Sequence, residues 1–364
     1  MGEPLRVGII GCGVISAQYL ETFDRLAAVR LTAVADLDVA RAQAVAATRE
    51  GVFAGSVEEL LARDDVDLVV NLTLPAAHAE VASAILASGK AVYGEKPLAA
   101  STFEARGVLD EAAARGLAVA CAPDTVLGTG IQTARKALDD GLLGAPISAT
   151  ATMVTPGHER WHPHPDFYYQ PGGGPLLDMG PYYVTALVTL LGPVESVVGS
   201  ASRTRSTRTI GSGPRAGEQV DVTTDTHVTG ILRHSSGVLS TLVMSFDAVA
   251  TSAANIEVHG ETGSMQVPDP NRFSGDVRLK RLGADDWEVL PVSAGYVDAG
   301  RGYAVADLAL EPGEEPRASG TLAYHVLDVM ESLLRSAQSG RSEQVASTVE
   351  RPRAVPLQEL ERRD

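Results

Sequence analysis

Residues 5–16 read LRVGIIGCGVIS, and the reading of this stretch decides the fold. A nearly unbroken apolar run ends on Gly11 and Gly13, and Ser16 follows three residues later. A short run that is apolar at every position, rather than at alternate ones, suits a strand buried on both faces of a parallel sheet. The stretch from Ser16 to Leu26 can then form a helix. Strand, glycine turn and helix together are the context a dinucleotide site requires, and the spacing is that of GxGxxG with serine in third place. Gly11 permits the tight turn. Gly13 lets the backbone approach a pyrophosphate at the helix N-terminus, with Val14 and Ile15 in the same turn. Ser16 is small enough for the helix to pack on the strand.

The pattern repeats downstream. VRLTAVAD is a second strand ending at Asp36, the position of a ribose-binding acid. A carboxylate there accepts the ribose hydroxyls and repels a 2′-phosphate. Leu37 and Asp38 follow it rather than arginine, so NAD is expected, with NADP still possible. VDLVVNLT, KAVYGEKP and LAVACAP are further strands. They alternate with helical stretches from Val39, over 57–62 and 76–88, and from a Ser101 cap with Glu104 as its partner to Arg115. This alternation predicts a doubly wound parallel sheet. Beyond it, 125–140 reads as a helix. After Gly192, segments from VESVVGSAS to WEVLP read as strands of a large, mostly antiparallel sheet, closed by a helix over 321–339. SRTRSTRTIGSGPRAGE, from Ser202, reads as a polar loop. The fold class is therefore α/β: an N-terminal Rossmann domain over 1–123, then an α+β domain over 124–364.

Composition narrows the function. A chain of 364 residues exceeds what one core usually serves. A net charge of −16 disfavours nucleic acid as a partner. Two cysteines, Cys12 and Cys121, suggest neither a disulfide framework nor a cysteine-based zinc site. The first residues lack a signal-peptide pattern, and no apolar run approaches the roughly 18 residues of a membrane span. A cytoplasmic protein with no membrane partner is expected.

Residues 172–192 read GGGPLLDMGPYYVTALVTLLG. Asp178 and Tyr182, four apart, would share one face of a helix. Pro181 lies between them and should kink or restart that helix, so the pair is expected to straddle a helix start. Just upstream, MVTPGHERWHPHPDFYYQ is dense in His158, Trp161, His162 and His164. No Cys, Asp or Glu joins the histidines at a familiar zinc spacing, so no metal is expected. The loop would line a pocket, or pack as a proline-stiffened segment.

One long block, NLTLPAAHAEVASAILASGKAVYGEKPLA, together with the glycine turn and GGGPLLDMG, resembles the glucose–fructose oxidoreductase / inositol dehydrogenase (Gfo/Idh/MocA) family over the whole chain. The resemblance implies that Thr73, Pro75, His78, Glu95 and Lys96 belong to the cofactor site. It places Lys96 near the reacting carbinol. Asp178 matches an aspartate that is commonly followed, four residues on, by histidine; Tyr182 stands in that place, as in some members. The implied activity is hydride transfer between NAD(P) and a secondary alcohol of a sugar, sugar derivative or cyclitol. Lys96, Asp178 and Tyr182 would be catalytic, and His158, Trp161 and His162 would join Asp178 and Tyr182 in binding substrate.

A free phenol, with a pKa of about 10, needs help to act as a base. A Lys96 ammonium would favour the phenolate, or Lys96 itself would carry the proton. Asp124 and Thr125 would face cofactor or substrate. Arg301, Arg317 and His325 would serve ion pairs or core packing. The second domain would bind substrate and form a homodimer or homotetramer. Two other readings stay open on the same fold: glycoside cleavage through transient oxidation and elimination, and a non-catalytic sugar or nucleotide sensor.

Overall fold

In the computed structural model, which describes residues 3–363, β1 (Leu5–Ile10) has Val7, Ile9 and Ile10 buried to within 2% of complete. It forms the middle of a sheet with β2 (Val29–Ala35), β3 (Phe53–Gly55), β4 (Leu68–Asn71), β5 (Ala91–Gly94) and β6 (Val119–Cys121). Among the described residues these six pair in parallel, in the order β3-β2-β1-β4-β5-β6. The connecting helices are α1 (Ser16–Arg25), α2 (Val39–Ala46), α3 (Val57–Leu61), α4 (His78–Ala87) and α5 (Thr102–Arg115). Ser101 caps α5 by accepting the Glu104 N–H at 3.2 Å, and Gly116, left-handed, ends it. A full reciprocal capping box forms at Ser56 and Glu59. The strand order reverses between β1 and β4, where the ends of an open α/β sheet part to leave a crevice.

The remaining elements build a second sheet. They are α6 (Thr129–Asp139), β7 (Pro146–Val154), α7 (Gly174–Leu191), β8 (Val194–Ser202), β9 (Thr207–Thr209), β10 (Gln219–Asp221), β11 (His227–His234), β12 (Leu239–Ser245) and β13 (Ile256–Gly260). After them come β14 (Gly263–Val267), β15 (Arg278–Arg281), β16 (Glu288–Val289), α8 (Tyr303–Leu310), α9 (Gly320–Ser339) and β17 (Glu343–Gln344). Among the described residues nine strands pair in the order β16-β15-β14-β13-β7-β12-β11-β8-β17. All pairs are antiparallel except β7 with β12. The sequence reading did not mark β7 as a strand. Its PISATATMV turns only Ala149, Ala151 and Met153 into the core, so the apolar alternation is faint.

Two expectations change. The residues from Ser202 are not simply a loop: β9 and β10 pair as a two-stranded ribbon. A single cut after residue 123 is also not how the chain divides. One compact unit comprises the residues up to 129, 294–324 and those from 355 on; the other comprises 130–293 and 325–354. The returning segments satisfy backbone groups that the first unit would leave open. The edge strand β6 gives its Cys121 N–H to the Ala318 carbonyl at 2.9 Å, and Ala27 donates to Glu361 at 3.0 Å.

The helix α7 runs unbroken through Pro181. A proline inside a helix costs about 3 kcal/mol and removes one N–H. From Gly180 to Leu191 the helix is wholly buried, packed on β7, β11 and β12. Each buried Val or Leu side chain there stabilises by about 1.5–3 kcal/mol, so packing outweighs the local cost. Asp178 and Tyr182 therefore do not straddle a helix start; they sit one turn apart on one helix.

The tightest backbone approach is at Gly11. Its φ is +101°, and a Cβ there would lie 2.7 Å from both the carbon and the oxygen of the Leu72 carbonyl. Gly11→Ala is expected to destabilise the protein by at least ~1 kcal/mol, from the left-handed backbone alone. A urea or thermal melt checks this; an unchanged midpoint would contradict the close packing of β1 on the residues after β4.

Candidate active site

The first group of site residues lies at the ends of β1, β2, β4 and β5. Gly13 and Val14 face open space: no atom comes within 4 Å of a Cβ built on Gly13, and Val14 is 97% exposed. Ile15 precedes α1, and Ser16 caps the turn by donating its hydroxyl to the Gly13 carbonyl at 2.7 Å. Asp36 is held in place by two backbone donors. Its Oδ2 accepts the Cys12 N–H at 2.7 Å and its Oδ1 the Asp38 N–H at 2.9 Å. Each oxygen keeps a further lone pair for a ribose hydroxyl. Leu37, beside it, is 98% exposed, an apolar surface suited to a flat base. Burial, and then the charge of Asp36, push the Cys12 thiol up to about 11, so the thiol in this turn stays neutral. An open glycine, a fixed carboxylate and an exposed apolar side chain fit a dinucleotide.

Behind the turn, side chains brace the loops that follow β4 and β5. Asn71 accepts from the N–H and hydroxyl of Thr73, at 3.2 and 2.6 Å, and donates to the His78 carbonyl at 3.0 Å. His78 is buried, with Nδ1 2.6 Å from the Pro97 carbonyl oxygen and Nε2 3.0 Å from that of Thr73. Carbonyls only accept, so a neutral ring donates to one of them at a time. Pro75 opens the short turn between Thr73 and His78 and is exposed. Glu95 is buried; it accepts the Tyr19 hydroxyl at 2.8 Å and the Lys96 N–H at 3.0 Å. Burial, and then Glu95, hold the Tyr19 phenol well above its usual pKa, so it remains a donor. Lys96, in a cis bond to Pro97, is part-exposed. His78 and Glu95 thus hold the backbone around Thr73 and Lys96.

Asp124, expected beside cofactor or substrate, has one oxygen engaged within the protein. It is fully buried and caps α8, accepting from the Gly302 N–H at 2.8 Å and the Ala304 N–H at 3.3 Å. Burial raises its carboxyl to about 6, against the favourable pull of Arg301 and those two donors. Thr125 is buried beside it in sequence. Arg317 pairs with Asp307 and Glu311, and is buried rather than on the surface. His325 accepts the Val194 N–H at 3.0 Å, and burial lowers it to about 4.

The second group lies in the other unit. Only Leu177, Asp178 and Met179 of α7 are partly accessible; the rest of the helix is buried, Tyr182 included at 5% exposure. His158, on a short turn, brings Nδ1 to 3.5 Å from Asp178 Oδ2. Its ring packs against Phe246, Tyr168 and Trp161, with centroids 4.4, 4.7 and 5.2 Å away. Trp161 is 58% exposed and touches His162, which accepts the His164 N–H at 3.1 Å. Burial lowers the pKa of His162. Among the described residues no group of three or more His, Cys, Asp or Glu could hold a metal ion. Tyr183 is buried, its hydroxyl accepting from Asn255 at 2.9 Å.

The sequence reading missed what fixes this loop. Arg208, on β9, is 3% exposed. It pairs with Glu159 at 3.0 Å and with Asp247, and donates to the carbonyls of Pro156 and Phe246 at 3.2 and 2.9 Å. Glu159 also takes the Tyr169 hydroxyl, and Asp247 the Thr226 hydroxyl at 2.6 Å. The only available signal was an arginine in a polar run, which does not distinguish a buried anchor from a solvated one. Tyr19 and Asn71 were likewise read only as parts of a helix and a strand.

A parallel sheet in this order with a glycine turn and a fixed strand-end acid marks a dinucleotide-binding unit of Rossmann type. The comparisons agree. Residues 5–122 match the model of an oxidoreductase family with an NAD-binding Rossmann fold, and 131–266 match the GFO/IDH/MocA C-terminal domain. The chain belongs to the Gfo/Idh/MocA family of NAD(P)-dependent oxidoreductases. It is 29% identical to a dTDP-3,4-didehydro-2,6-dideoxy-alpha-D-glucose 3-reductase of Actinomadura kijaniata, over 86% of this chain and 90% of that one. It is 25% identical to an inositol 2-dehydrogenase of Rhizobium meliloti, over 94% and 99%. The fold matches that of an NAD-binding oxidoreductase from Klebsiella pneumoniae with a TM-score of 0.82, at 23% identity, over 94% of this chain and 100% of that one. No helix among the described residues is long and apolar enough to cross a membrane.

Asp36→Ala removes a carboxylate placed to accept ribose hydroxyls and to repel a 2′-phosphate. The ratio of kcat/KM for NAD⁺ to that for NADP⁺ is expected to fall by about tenfold or more, roughly 1.4 kcal/mol. Steady-state kinetics with both cofactors measure it; an unchanged ratio would remove Asp36 from cofactor selection.

Proposed function

We propose that the enzyme moves a hydride between NAD and a ring secondary alcohol of a sugar, sugar derivative or cyclitol, with Lys96, Asp178 and Tyr182 as catalytic residues. One observation carries the reading: Asp178 occupies the accessible stretch of an otherwise buried helix, with Tyr182 one turn further on and His158 against its carboxylate. The relatives' names support a ring substrate, since one specifies reduction at position 3 of a sugar nucleotide and the other oxidation at position 2 of inositol.

The cofactor, when bound, accepts or supplies the hydride. Gly11, Gly13, Val14, Ile15 and Asp36 would hold it, with Thr73 and Pro75 at the next strand end and His78 and Glu95 as braces. As the hydride leaves an alcohol, its hydroxyl proton must leave too, and a positioned base lowers the barrier for that. Tyr182 takes that proton in this reading. A positive charge nearby would favour the phenolate, and the family resemblance assigns that charge to Lys96. Asp178 receives a substrate hydroxyl, and His158 keeps its carboxylate oriented. Trp161 offers an exposed aromatic face to the CH face of a ring, and His162 a hydrogen-bonding edge.

We place the enzyme in the cytoplasm, as a homodimer or homotetramer. Two free thiols support the first point. Val198 and Ile231, cross-strand partners that are 48% and 47% exposed, support docking of the second sheet's open face. Light scattering after size exclusion tests the assembly; a monomer at micromolar concentration would oppose it.

NADH formation across a panel of sugars and cyclitols tests the activity. Tyr182→Phe is expected to lower kcat about 10²–10⁴-fold and to remove a limb of the pH–rate profile. A variant as active as wild type at every pH would exclude the phenol as acid or base.

A further inference from the structure

One charged feature of the second unit has no part in hydride transfer. The chain carries a net charge of −16, yet Ser202–Gly217 holds Arg203, Arg205, Arg208 and Arg215 and no acidic residue. Some of this charge is matched locally. Arg215 pairs with Asp166 and Glu218, and Arg208 with Glu159 and Asp247. Arg205 is exposed, as is Arg160 on the short turn that carries His158, and neither is in an ion pair among the described residues.

Arg160 and Arg205 line a cavity of about 570 Å³, together with Thr207, Thr209, Gln219 and the Arg208–Glu159 ion pair, whose charges cancel. The alternation of β9 turns Arg208 inward and leaves the two threonines exposed. Arg208 is therefore spent on Glu159 and Asp247, and the exposed side of the ribbon carries Arg205 and the two threonine hydroxyls. The cavity also adjoins the substrate loop: Gly211 donates its N–H to the Glu159 carbonyl at 2.7 Å, and Arg160 stands between Glu159 and Trp161 in the chain.

We propose that this cavity seats a phosphate group carried by the substrate, so that the enzyme takes a phosphorylated or diphosphate-linked sugar rather than a neutral one. The proposal rests on the reading of the substrate as a sugar. Guanidinium forks match phosphate oxygens in pairs, and the threonine hydroxyls add neutral donors. With Arg208 balanced by two carboxylates, Arg160 and Arg205 supply the surplus positive charge. An anionic substrate is repelled by most of so acidic a surface, and a local basic cavity reverses that field where the ligand must dock.

The test is calorimetric titration of inorganic pyrophosphate, and separately of inorganic phosphate, into enzyme saturated with NAD⁺, which keeps both probes from the glycine turn. Wild type is expected to bind at least one probe, and Arg160→Ala/Arg205→Ala to weaken it about tenfold or more. The NAD⁺ affinity and melting temperature of the variant should stay unchanged, since both side chains are exposed. Tighter pyrophosphate binding assigns the site to a diphosphate-linked substrate, and phosphate binding of equal or greater strength to a monoester. Equal affinity in wild type and variant, or no binding to wild type, overturns the proposal. The titration reads binding alone, so it stays decisive if no sugar yields NADH.

Discussion

The architecture of the first unit depends on how the backbone leaves β1. That strand is covered on both faces and paired on both edges, so its chain must exit upward between β2 and β4. The exit is possible because Gly11 is left-handed and presses on the Leu72 carbonyl, where any side chain would collide. The rest of the cofactor site follows from that exit. Cys12 then points its N–H at Asp36, which fixes the strand-end acid. The opening at Gly13 stays clear of side chains. The loops after β4 and β5 are joined through His78, and Asn71 and Glu95 tie down their main chain.

In the second unit the comparable choice is between local propensity and packing. Pro181 argues for a break, and an isolated helix of this sequence would have one. Burial against β7, β11 and β12 overrides it. The outcome sets the geometry of the proposed catalytic pair. A helix restarted at Pro181 would rotate Asp178 away from Tyr182; the continuous helix keeps them one turn apart and leaves only Leu177–Met179 accessible.

Buried charge anchors the loop that presents His158 and Trp161. Arg208 sits among Glu159, Asp247 and two backbone carbonyls, and the cluster is largely buried. Such a pair adds little over a well-packed apolar core, but removing one partner leaves an uncompensated buried charge, at a cost of about 3–5 kcal/mol. The loop is therefore held in one arrangement rather than merely packed.

The sequence by itself determined the parallel sheet, the glycine turn and Asp36, because these rest on local patterns: a fully apolar strand, a fixed spacing and a helix directly after it. It also singled out Lys96, Asp178, Tyr182 and the histidine loop as residues of interest. It did not mark β7, whose small side chains barely alternate, or the ribbon holding Arg208. It did not foresee that residues 294–324 and those from 355 on rejoin the first unit. Nor did it pair His158 with Asp178, twenty residues away by number but 3.5 Å apart in space. These were decided by tertiary structure alone, because burial and the matching of charges depend on which segments meet in space, and sequence spacing does not give that.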